Sequence, residues 1–284
     1  MKKTAFLFIL SASLLASTLG SVSLITPVYA TNENNAPTHS FMSNKTEIAV
    51  DLEVSGAEAL CQTDDGFVWI GQYSGLTRYD SDEYVTYKSF TENGKTYSII
   101  NIRGLEADGD TLYVATYQNI FMYKDYQFSY LDVNAGFIKD ITLDATNNLL
   151  YISSATDGGI VYDINNKTSS KLPNLETGNV NDIALDVKRN NYYYQTDAGV
   201  FDKTGKMIYS SAIILDVYAY DDILYMGDSE GLIKRYDMAN ETFLADIIVS
   251  DQINKLLYSE DEEILFVACE TDGLYCVNLI NDEP

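Results

Sequence analysis

One strand–turn–strand–turn–strand unit recurs six times along this 284-residue chain, and no segment between the copies shows helical periodicity. Those two observations predict an all-β fold, a β-propeller of about six four-stranded blades. Composition is the third: 23 Tyr and 11 Phe stand against four Pro and one Trp, and aromatic-rich, proline-poor chains favour strands. Hydrophobic residues make up 46% and charged residues 21%, so the chain can bury a core and is not disordered by composition.

The elements follow in order. Lys2 and Lys3 precede a nearly apolar run, Ala5 to Leu19, and Val28-Tyr29-Ala30 offers the small residues a signal peptidase needs. Residues 1–30 therefore read as a signal peptide cut before Thr31. The rival is an uncleaved anchor, and both export the rest to a periplasmic, extracellular or cell-surface location. No later run approaches the roughly 18 apolar residues of a spanning helix, so no transmembrane helix is expected after cleavage. Residues 31–46 are a polar, flexible lead-in that carries the one histidine, His39, as a solvated residue. The propeller is assigned to residues 47–284.

Glu47 to Val54 alternates strictly, with Ile48, Val50, Leu52 and Val54 on one side. That is a half-exposed strand belonging to no copy. The sixth copy has only three strands before Pro284. The N-terminal strand is expected to supply the missing outer strand of the last blade and so close the ring. The alternative is a larger propeller cut short.

The copies run from Leu60, Leu105, Ile141, Ile183, Val217 and Leu256. The Gly, or Asn119, before each third strand lies at 75, 119, 159, 199, 231 and 273, giving steps of 44, 40, 40, 32 and 42. Propeller blades have this period. First and second strands are apolar runs because neighbouring blades bury both faces. Asp and Gly in the turns suit hairpins. Third strands end in Tyr-Asp in copies one, three and five, and the Tyr is expected to pack at the blade edge with its hydroxyl wet. Tyr84 to Tyr87 and Phe128 to Leu131 are candidate outer strands.

The stretch Leu60 to Asp80 holds Gln62, Asp64-Asp65-Gly66, Trp69-Ile70-Gly71, Gly75-Leu76 and Arg78-Tyr79-Asp80. It closely resembles the two-component regulator propeller repeat, and the other copies look like degenerate blades of that kind. The resemblance implies the extracytoplasmic sensor region of histidine kinases, hybrid two-component sensors or diguanylate cyclases, some of which sense oligosaccharides. In that family the output domain lies beyond a transmembrane helix. The sequence shows neither, which leaves a severed sensor region and a free-standing secreted relative as readings. Any kinase or cyclase activity would belong to an absent output domain, and none is expected of this chain.

Charge excludes other classes. Against 42 acidic residues stand 18 basic ones, a net charge of −24 and a pI near 4.1. Nucleic-acid binding and docking on anionic membranes both need the opposite balance. With one histidine outside the repeats, a histidine-based lyase is rejected. A carboxylate pair for glycoside hydrolysis has no recognisable signature among so many acids. The acidic turns at Asp64-Asp65-Gly66, Asp108-Gly109-Asp110, Asp157-Gly158-Gly159, Asp221-Asp222 and Asp261-Glu262-Glu263 carry oxygens that suit Ca²⁺. None has EF-hand spacing, and they read as turn chemistry; no cofactor or metal site is assigned. Cys61, Cys269 and Cys276 read as small buried hydrophobes. Asn44-Lys45-Thr46, Asn166-Lys167-Thr168 and Asn240-Glu241-Thr242 match the glycosylation sequon.

The candidate site is geometric. Second-to-third-strand turns and blade-to-blade linkers should gather at one face around the axis. The turns contribute Tyr73, Tyr117, Asn119, Asp157 and Asp197; the linkers contribute Arg103, Lys139, Asn181, Asp216 and Asn254. Aromatic plates with polar side chains suit a small polar molecule or an oligosaccharide. The leading expectation is a ligand-sensing or ligand-binding module. The alternatives are a secreted scaffold or adhesion propeller that binds a protein or glycan partner and, behind it, a glycan-degrading enzyme.

Overall fold

The computed structural model of the chain describes residues 57–79, 84–249, 251–259, 264–270 and 274–279, with two short pieces at 23–24 and 46–47. Six small antiparallel sheets are arranged as a six-bladed β-propeller. From inner to outer strand, blade 1 is Ala57–Gln62, Val68–Gln72, Gly75–Tyr79 and Tyr84–Tyr87. Blade 2 is Ile102–Asp108, Thr111–Thr116, Ile120–Lys124 and Gln127–Leu131, and blade 3 is Ile138–Asp144, Leu149–Ser154, Gly158–Asp163 and Thr168–Lys171. Blade 4 is Asp182–Asp186, Asn191–Thr196, Gly199–Asp202 and Met207–Tyr209. Blade 5 is Ile214–Tyr220, Ile223–Asp228 and Leu232–Asp237, whose third strand pairs with two short outer pieces, Thr242–Phe243 and Ile247–Ile248. Blade 6 has Ile253–Ser259, Ile264–Cys269 and Leu274–Asn278 among the described residues. Thr46–Glu47 pairs with Ser23–Leu24. The rest of the alternating segment that ends at Val54, and with it the expected completion of blade 6, lies outside the described residues.

The core lies between blades rather than within one layer. Five apolar clusters each join a blade to its successor; Trp69, Leu76, Ile102, Leu112 and Phe121, for example, fuse blades 1 and 2. A single blade would expose both faces, so burial is gained only by stacking. Small residues on second strands set the spacing. A Cβ on Gly71 would stand 2.5 Å from Ile102 Cγ2 of the next blade, and one on Gly227 would stand 2.5 Å from Ile253 Cγ2.

Turn chemistry follows the sequence. Thr63 Oγ1 donates to Asp65 Oδ1 at 2.6 Å, and the fully buried Trp69 donates its Nε1–H to Thr63 Oγ1 at 3.1 Å. In the blade 3 and blade 5 turns, Asp163 Oδ1 and Asp237 Oδ1 accept from the backbone N–H three residues on. Their Oδ2 atoms accept from Asn166 Nδ2 and Asn240 Nδ2 at 2.7 and 2.8 Å. Hydrogen bonds from these asparagines hold both carboxyls below the usual range. The sequon asparagines at 166 and 240 thus serve the turns.

One expectation changes in part, and one element is new. In copies three and five, Tyr162 and Tyr236 are 2% and 5% exposed and belong to the inter-blade core rather than to a wet edge, whereas Tyr79 of copy one is half-buried and stacks on Tyr84 of the outer strand. Residues Ser89–Glu92 and Lys95–Ser98 form an extra hairpin between blades 1 and 2, which accounts for the longest repeat step. Its Phe90 and Tyr97 stack with Phe128 and Tyr130, and Glu92 Oε2 accepts the Tyr130 N–H, so the hairpin covers blade 2's outer strand. The three cysteines are unbridged; Cys269 is fully buried as expected, but Cys61 and Cys276 are only half-buried.

Candidate functional site

Turns and linkers do meet at one end of the propeller, through a relay of backbone bonds. Asn101 N–H donates to Tyr73 C=O, Tyr117 N–H to Asn101 C=O and Ile138 N–H to Tyr117 C=O, at 2.8, 3.0 and 2.9 Å. Blades 5 and 6 repeat the join through Ser229 to Ile213 and Glu270 to Gln252. In five blades the inner strand slips register where it enters the sheet. The skipped residues are Glu58, Arg103, Lys139, Leu215 and Asn254. In blade 4 Asn181 holds the same place, just ahead of Asp182. A bulge frees one side chain from the ladder and re-aims it, so each blade offers one such residue near the axis.

Of the residues expected at the site, Arg103 and Tyr117 come together. The Arg103 guanidinium lies 5.6 Å from the Tyr117 ring centroid and 3.5 Å from Glu58 Oε2 of blade 1. Tyr117 stacks on Phe137, with centroids 4.7 Å apart. Tyr73 is 71% exposed on the neighbouring turn. Asn181 Nδ2 donates to Asp197 Oδ1 at 3.0 Å, which with Asn179 holds that carboxyl below its usual range; Lys139 adds to the effect. Asp157 instead pairs with Lys171, and Asn119 closes its turn by accepting from Thr116 Oγ1 at its C=O and donating its N–H to the same hydroxyl. Asn254 Nδ2 donates to Glu270 Oε2 at 2.6 Å. Glu58, Phe137 and Leu215 also belong to this end, with Ile100 and Ile213 as exposed apolar neighbours. Beside it a cleft of about 400 Å³ is lined by Gln118, Tyr130, Asp132, Asn134 and Phe137.

Asp216 sits elsewhere than the rim: it is 2% exposed and belongs to a charge cluster on the axis. The residue after each of the five bulges is Ala59, Gly104, Asp140, Asp216 or Lys255, and Asp182 holds the same place in blade 4. Lys255 Nζ lies 2.7 Å from Asp216 Oδ1, 2.9 Å from Asp140 Oδ2 and 3.9 Å from Asp182 Oδ2. Asp182 Oδ2 accepts the Val217 N–H of blade 5, and Asp216 Oδ2 accepts the Leu256 N–H of blade 6, at 3.1 and 2.8 Å. Gly104 is the counterpart in blade 2, and a Cβ there would stand 2.6 Å from Asp140 Oδ1. Glu106 approaches from the same blade.

Burial dominates the electrostatics. It pushes Glu106 up to about 8, aided by Asp140, and Asp182 up to about 6 against the pull of Lys255. Asp140 and Asp216 are raised for the same reason. Lost hydration beside the buried aspartates works against the Lys255 ammonium, although 46% of its side chain stays exposed, but Asp140, Asp216 and Asp182 outweigh that cost and hold it well above the usual lysine range. Lys255 therefore carries no free amine for attack. Burial also pushes the Cys61 thiol up to about 12, with Glu106 adding to it, which makes it a poor nucleophile.

This fold occurs in proteins of several kinds. The extracellular domain of the candidate one-component system BT4673 from B. thetaiotaomicron superposes with a TM-score of 0.63 at 18% identity, covering 80% of this chain and 32% of that one. The extracellular domain of the candidate hybrid two-component system BT3049 from the same organism gives 0.64 at 17%, covering 78% and 33%. The WD40 repeats of RRP9 give 0.60 at 12%, covering 79% and 80%. The chain thus spans about a third of the length of the two sensor domains. No protein-family model and no curated protein matches the sequence. Among the described residues no helix is long and apolar enough to cross a membrane.

Proposed function

We propose that this chain is an extracytoplasmic, ligand-binding propeller module of the sensor type, recognising a small polar molecule or oligosaccharide at its turn-and-linker end. The observation that carries the reading is the Arg103–Tyr117–Phe137 stack beside exposed Tyr73. Aromatic faces next to fixed polar groups suit sugar rings and similar solutes. The likeness to extracellular domains of candidate one- and two-component systems, and the resemblance of Leu60 to Asp80 to the two-component regulator propeller repeat, support it. Relay to an output domain, where one is attached, belongs to the same reading.

A thermal-shift screen against neutral and acidic oligosaccharides tests it. At a hundred times Kd a ligand stabilises by about 2.7 kcal/mol, or roughly 5–11 °C for a domain of this size. Arg103→Ala with Tyr117→Ala should abolish the shift. A shift unchanged in the double variant places the site elsewhere, and an empty screen removes oligosaccharides as the ligand class.

A further inference from the structure

Lys255 is carried by blade 6, yet its partners Asp140, Asp182 and Asp216 come from blades 3, 4 and 5. The bond to Asp140 spans 115 residues of chain. The aspartates form a one-way series of latches, Asp182 to the blade 5 backbone and Asp216 to the blade 6 backbone. Lys255 returns from the end of that series to blade 3. Blade 6 otherwise shares an apolar cluster with blade 5 among the described residues.

We propose that Lys255 is a charge lock that fastens the last described blade to the opposite blade across the axis, so that removing this one positive charge frees blade 6 while the other described blades stay folded. The lock stands at the end where ligand recognition is proposed above, because Leu215 and Asn254 directly precede Asp216 and Lys255, but it does not rest on that proposal. Three carboxylates converging on one ammonium are stable only as a set, since removal of Lys255 leaves like charges facing one another. Among the described residues, the four carboxyls facing the lock all draw on the Lys255 ammonium. Glu106 approaches from blade 2, next to the Cys61 thiol of blade 1, and burial raises its carboxyl and those of the three aspartates. The side chain of Lys255 keeps 46% of its surface exposed, so solvent and ions reach the lock.

Hydrogen exchange on the intact chain, without any ligand, is the test. In Lys255→Met, exchange over residues 253–269 should rise on the order of ten- to a hundredfold. Residues 111–124 and 149–163, in blades 2 and 3, should keep wild-type rates. Lys255→Arg should stay near wild type. If Lys255→Met does not fold, Asp140→Asn removes only the cross-axis partner, and a smaller rise confined to 253–269 is expected. No rise over 253–269, or an equal rise in blades 2 to 5, overturns the proposal.

Discussion

Glu106→Gln should stabilise this protein, and by an amount that grows with pH. Burial and the neighbouring Asp140 push the Glu106 carboxyl from the usual 4.5 up to about 8. The folded state therefore binds this proton more tightly than the unfolded chain does. The stability that follows is fully present below pH about 4.5 and is lost as pH rises through 8. Each pH unit in that window is worth about 1.36 kcal/mol, so at pH 7 the native carboxyl costs about 3 kcal/mol relative to a neutral isostere. Gln keeps an acceptor for the Leu143 N–H that Glu106 bonds. The variant should melt roughly 6–12 °C above wild type at pH 7, further above it at pH 8, and level with it near pH 4.5. Thermal unfolding of both proteins followed by circular dichroism across pH 4.5–8.5 measures this. A constant gap, or a variant that melts below wild type at pH 8, would refute the burial argument.

Two further outcomes rest on packing. Trp69 is fully buried, meets Tyr123 edge-on at 4.7 Å and is tied to Thr63; Trp69→Ala should lower unfolding free energy by about 3–5 kcal/mol, read from the urea midpoint by circular dichroism, and a loss under 1 kcal/mol would show that blades 1 and 2 are not welded there. Gly227→Val should destabilise strongly because its Cβ would stand 2.5 Å from Ile253 Cγ2, and Ile253→Ala in the same chain should restore part of the loss; a double variant worse than the sum of the singles would deny the contact.

Much of the ring was legible in the residues. The period, the second and third strands and the acidic turns are local features, so they survive without tertiary information: Val68–Gln72, Leu149–Ser154 and Ile264–Cys269 are apolar runs because both faces are covered. The hairpin at 89–98 was missed because Ser89–Glu92 and Lys95–Ser98 are mostly polar and short, and only Phe90 and Tyr97 hint at a buried side. At the site, Arg103, Lys139, Asn181 and Asn254 could be named from their linker positions, while Leu215, not Asp216, is the residue skipped in blade 5. A signal existed in the aligned copies. Ile102-Arg103-Gly104-Leu105, Ile138-Lys139-Asp140-Ile141, Val180-Asn181-Asp182-Ile183, Ile214-Leu215-Asp216-Val217 and Ile253-Asn254-Lys255-Leu256 share one apolar–x–x–apolar frame. Its third column holds the axial cluster.

Periodicity and turn chemistry act over a few residues, and so strand order, blade number and the buried faces are properties of the chain read in one dimension. Which carboxylates share a lysine is not. Lys255 meets Asp140 and Asp216 across 115 and 39 residues, and that meeting exists only because the propeller brings its inner strands to one axis, where burial shifts the protons of the aspartates and Lys255 balances them.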